Sequence, residues 1–135
     1  MGVVTAPLPE PDVAYLEERG YRYDAVVEDG MTCVVVHDWA LPSGYDRASA
    51  DLLIRLSPGY PDMQPDMWWF DPPVSFPDGS APPATDARQP CIGRTWQRWS
   101  RHFNGGQWRS GIDGLESFFA LIRSDLVRGA PAPTT

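Results

Sequence analysis

Apolar and polar positions alternate along this chain in two rhythms, one with a period near two and one near 3.6, and their boundaries mark the elements. Residues 21–28 and 32–39 read as paired strands, the second rich in β-branched side chains, joined by Asp29-Gly30, a dipeptide suited to a hairpin turn. Residues 50–56 alternate as a third strand, and residues 67–70 give a short aromatic fourth, ended by Asp71-Pro72-Pro73. Before them, residues 10–19 carry a proline and acids in the first turn and meet Gly20 at the end, the pattern of a short helix. At the other end Ile112, Leu115, Phe119, Ile122 and Leu126 recur at spacings of 3, 4, 3 and 4, a helix laid on a sheet, with Ser110 and Asp113 as its capping box.

Between these elements, residues 71–104 show no sustained period and many Pro, Gly, Asp and Ser residues, which predicts a long irregular functional loop. Trp96 and Trp99, three positions apart, are expected on one side of a helical turn beneath it. The order of helix, four-stranded antiparallel meander, loop and helix predicts an α+β fold with helices on one sheet face. Cys33, Trp68, Trp69 and Phe70 are expected in the core, and His37 as a hydrogen-bonded histidine at a strand end.

Composition bounds the size and class. With 135 residues, 42% of them hydrophobic, the chain makes one small domain over residues 10–128. Residues 1–9 and 129–135 are expected to be a disordered leader and tail. The absence of a long apolar stretch or a signal-like start predicts a cytoplasmic protein without membrane contact. Two cysteines and two histidines without paired spacing predict neither a disulfide framework nor a metal site, and no cofactor is expected.

Charge is distributed unevenly. Residues 1–86 hold fifteen acids against four arginines, whereas residues 87–112 hold no acid and five arginines. The formal charge of −7 argues against nucleic acid as a partner. The local island of Arg88, Arg94, Arg98 and Arg101 suits a carboxylate terminus or an acidic partner surface. Lysine is absent from the chain, so no side-chain amine is present to attack an activated carbonyl held nearby.

The Leu56-Ser57-Pro58-Gly59-Tyr60-Pro61 break, with Pro65 and the aromatic strand after it, resembles the ubiquitin-conjugating enzyme fold. The segment from Arg94 through Trp96, Trp99 and His102, followed by Trp108-Arg109 and Gly111-Ile112-Asp113, is similar to a divergent bacterial family of that superfamily. The resemblance implies a ubiquitin-like modifier, an adenylating activating enzyme and a deconjugating peptidase as partners. It further implies that Cys91 accepts the modifier's terminal glycine as a thioester and passes it to an amine. Arg88, Arg94 and Arg98 are expected to favour its thiolate. His102 is the candidate base or hydrogen-bond donor, Asn104 or Arg101 the group polarising the carbonyl, and Asp86 the group that orients or deprotonates the amine.

One departure stands against this chemistry. Catalytic members carry a His-Pro-Asn tripeptide shortly before the cysteine, where this chain reads Ala81-Pro82-Pro83-Ala84-Thr85-Asp86-Ala87. The alternative is therefore a non-catalytic modifier-binding or scaffold domain of the same fold.

Overall fold

A computed structural model describes residues 3–103 and 107–131. In chain order it contains α1 (Glu10–Glu18), β1 (Tyr23–Glu28), β2 (Met31–Ala40), β3 (Ser49–Leu56), β4 (Trp68–Asp71), β5 (Ala87–Cys91), β6 (Arg94–Trp99) and α2 (Leu115–Gly129). The strands form one antiparallel sheet in the order β1-β2-β3-β4-β6-β5. The α+β class and both helices agree with the sequence, whereas the sheet has six strands in place of the expected four, the first four forming the meander. No helix among the described residues is long and apolar enough to cross a membrane.

Both helices pack on one sheet face. Leu16 of α1 and Leu115, Phe118, Phe119, Ile122 and Leu126 of α2 meet Val34, Val36, Leu52, Ile54, Trp68, Phe70 and Trp99. The α2 stripe starts at Leu115, because Ile112 is exposed. The Ser110–Asp113 capping box does not form. Ser110 donates instead to Asp62, and Gly114 occupies the N-cap without a side-chain bond of its own.

Residues 71–104 depart most from expectation, because they contain the β5–β6 hairpin. Cys91 and Arg94 pair across a two-residue turn in which Ile92 and Gly93 have φ of 46° and 75°, the positive values that such a hairpin turn requires. In a strand, a spacing of three puts side chains on opposite faces. Trp99 accordingly joins the core under the helices, while Trp96 packs on the other face.

Only the base of the hairpin pairs with β4, through Trp99, Arg98 and Gln97. Its tip extends past β4 and curls over the outer face of the meander. A second apolar cluster forms there from Cys33, Val35, Leu53, Trp69, Cys91 and Trp96. This cover explains why β2 is buried on both faces from Cys33 to Val36.

Val4 bridges Ala25 in parallel, the Thr5 N–H donates to the Ala25 carbonyl at 2.8 Å, and Ala6 is buried. These hydrogen bonds join residues 3–6 to the outer edge of β1 at Ala25.

Candidate functional site

Cys91 ends β5 beneath the hairpin turn. Its residue is only 4% exposed, and its Sγ lies 3.7 Å from that of Cys33, itself fully buried. Trp96 Nε1 donates to the Cys91 carbonyl at 3.0 Å and fixes the backbone there. Among the described residues a charged neighbour of the sulfur is Glu28, whose carboxylate lies within 4.8 Å of it and accepts the Ile92 N–H at 2.8 Å.

These neighbours set the chemistry of the sulfur. Burial first, then the hydrogen bond to Glu28 and the adjoining Cys33, push the Cys91 thiol far above its ordinary range. The neighbouring thiol of Cys91 and the Ile92 N–H hold the Glu28 carboxyl below its usual value. A carboxylate, where an arginine was expected, faces this sulfur.

The other chemical candidates lie elsewhere. Asp86 is exposed just before β5. Five residues of extended chain, at about 3.3 Å each, put it about 16 Å along the strand from Cys91. His102 follows β6 at the end remote from Cys91, exposed, with its Nδ1 on the Asp66 carboxylate at 2.7 Å. The fold therefore does not assemble Cys91, His102 and Asp86 into one constellation. Asn104 lies outside the described residues.

Nor do the four arginines form a single shelf. Arg94 donates to Asp51 and Asp71 at 2.9 Å each and stacks over Trp96 at 4.4 Å. Arg101 pairs with Asp125 at 2.5 Å and with the Pro83 carbonyl. Arg98 donates to the Ser100 hydroxyl at 3.0 Å. Arg88 binds the Thr85 carbonyl at 3.0 Å and stays exposed. It sits opposite Gln97 while Arg98 sits opposite Ala87, so the two arginines stand on opposite faces of the hairpin.

A polar chain that the sequence reading missed runs along the outer sheet face. His37 Nε2 meets Asp24 at 2.9 Å and its Nδ1 lies 3.5 Å from Asp51. Asp51 also accepts the Asp38 N–H and the Arg94 guanidinium, which continues to Asp71. Burial pushes the Asp51 carboxyl up, but these donors outweigh it and hold the group below its usual range. The signal was available only through register: Asp51 pairs directly with Asp71, two like charges that need a cation between them.

Comparison with known proteins gives one match. Residues 8–129 fit the family model described as Prokaryotic E2 family E. No curated protein and no solved structure matches the chain.

Proposed function

The chain belongs to prokaryotic E2 family E, and we propose that it acts in ubiquitin-like conjugation as a docking member, holding a modifier without carrying it on Cys91. The enclosure of the Cys91 sulfur carries this reading. A thioester forms when a thiolate attacks an activated carbonyl, so the sulfur needs both the ionised form and an open approach. Here it has a buried thiol, a carboxylate beside it and Cys33 behind it. The absent His-Pro-Asn tripeptide supports the same reading.

The proposed contact is the free edge of the sheet. β5 is a terminal strand, and such a strand offers unpaired backbone groups to an added one, except at Pro90, which has no N–H. Exposed Arg88 gives this edge a cation for the carboxylate of a glycyl chain end.

The test combines the protein with modifier, activating enzyme and ATP, and measures modifier binding in parallel. The expected outcome is binding without a reductant-sensitive adduct, unchanged within about twofold in Cys91→Ser and weakened in Arg88→Ala. An adduct that forms with the wild type and vanishes in Cys91→Ser overturns the docking reading in favour of a thioester carrier.

The His102–Asp66 pair favours a second reading. A carboxylate on Nδ1 fixes the imidazole tautomer and leaves Nε2 as the free acceptor nitrogen. An exposed histidine so held suits proton removal from an amine attacking an acyl group that a partner protein carries. Under this reading His102→Ala abolishes transfer in the reconstituted pathway while modifier binding persists. Unaltered transfer in that variant excludes it.

A further inference from the structure

Three ligand-type side chains that are distant in sequence converge where the β5–β6 tip covers the meander. Glu28 ends β1, Cys33 lies on β2 and Cys91 ends β5, and one donor atom from each lies within 4.8 Å of the others. We propose that these three residues form a binding site for a thiophilic divalent cation, with zinc as the occupant that best fits the donor set.

The sulfur spacing supports this directly. Two thiolates about 2.3 Å from zinc, at a tetrahedral angle, lie roughly 3.8 Å apart. The two Sγ atoms stand at 3.7 Å, so no strand has to move to admit the ion. Two sulfurs with one carboxylate oxygen form a soft-biased set that suits zinc and cadmium and disfavours magnesium or calcium. With three protein ligands, the fourth tetrahedral position falls to water.

The surroundings orient the ligands and place a cation beside them. The Ile92 N–H holds one Glu28 oxygen, and the Trp96 indole holds the Cys91 backbone. Zinc with two thiolates and a carboxylate carries one net negative charge. Arg55, which pairs with Cys33 across β2 and β3 and so shares its face, brings a positive charge that it shares with Asp29, 4.0 Å from its Nη2. Its Nε is buried without a hydrogen-bond partner among the described residues. Both sulfurs are buried while Glu28 is only half-buried, which makes its carboxylate the path of access.

On binding, each thiol gives up its proton to solvent and each sulfur forms a bond to the metal, so one ion releases two protons. A bound ion ties the hairpin tip to β1 and β2. Metal occupancy and a thioester on Cys91 are mutually exclusive, yet the site itself does not depend on the docking reading.

Cadmium is the test probe, because its thiolate bonds absorb in the ultraviolet. Metal-free, reduced protein titrated with cadmium is expected to develop this absorption, saturate at one ion per chain and melt at a higher temperature as the ion is added. Glu28→Gln, a substitution at a half-buried position, keeps the Ile92 hydrogen bond and is expected to weaken binding by about tenfold or more. Cys33→Ser is expected to lose the absorption of the paired thiolates. The proposal is overturned if folded wild type shows no thiolate absorption, or if Glu28→Gln binds as tightly as wild type.

Discussion

The Asp12 carboxylate of α1 accepts the backbone N–H of Leu115, the first residue of α2, at 2.9 Å. One helix thereby caps the other across 103 positions of sequence. The second carboxylate oxygen accepts the Tyr60 hydroxyl at 2.6 Å, so a nearly buried acid joins both helices to the turn before β4. A Cβ at Gly114 would stand 2.6 Å from the same carboxylate, which explains the glycine at the N-cap.

Removing this carboxylate is expected to cost more than an ordinary cap. Asp12→Ala orphans a helix N–H and a tyrosine hydroxyl together, with an expected loss of about 2–3 kcal/mol in denaturant unfolding. Asp12→Asn retains an acceptor and loses less. Gly114→Ala is expected to destabilise through the steric conflict.

Arg94 is expected to behave as a structural clamp. Arg94→Ala leaves Asp51 opposite Asp71 and uncovers Trp96, for a loss of about 2 kcal/mol. Arg94→Lys recovers only part, because a lysine cannot bridge two carboxylates with a planar fork. The Asp51 carboxyl is held low in the folded protein, so its stabilisation is present above the unfolded carboxyl pKa and is lost as pH falls through the folded one. Stability is therefore expected to drop below about pH 4. Glu28, Asp78 and Asp113 add to this acid limb, and Arg94→Ala is expected to flatten it.

The alkaline limb has the opposite sign. The Cys91 thiol is raised in the folded state, so its contribution is complete below the ordinary thiol value of 9.0 and declines as pH rises above it. Tyr15, pushed up to about 12 chiefly by burial, enters only at higher pH. Unfolding curves taken between about pH 8 and 10 are expected to show declining stability in wild type and a shallower decline in Cys91→Ala. Iodoacetamide should leave folded Cys91 unmodified and label it on unfolding.

The hairpin turn gives an independent handle on the same sulfur. Gly93 has φ of 75° and open space around it, so Gly93→Ala introduces backbone strain without a clash. A loss of about 1 kcal/mol is expected. If the tip seals Cys91, thiol alkylation in this variant is expected to accelerate; unchanged labelling would separate the turn from the seal.

Short-range signals made α1, the meander and α2 legible in the sequence. Asp29-Gly30 does form the expected positive-φ turn, and Cys33, Trp68, Trp69 and Phe70 are buried as expected. The β5–β6 hairpin was hidden by local chemistry: Pro90 lacks an N–H, and the Trp96–Trp99 spacing mimics a helical face. The site was harder still, because sequence spacing cannot show that Cys33 and Cys91, 58 positions apart, share a sheet face. The arginines of the basic island were visible as charges, but their acidic partners Asp51, Asp71 and Asp125 could be assigned only with the fold in hand.

The two edges of the sheet are unlike. Residues 3–6 already hydrogen-bond at Ala25 in the middle of β1, while β5 at the opposite side keeps its outer edge. Strand-by-strand growth into a fibre needs two open sides on every copy. The leader's own bridge at Ala25 interrupts the β1 side, so an incoming strand finds a continuous row of backbone groups only along β5.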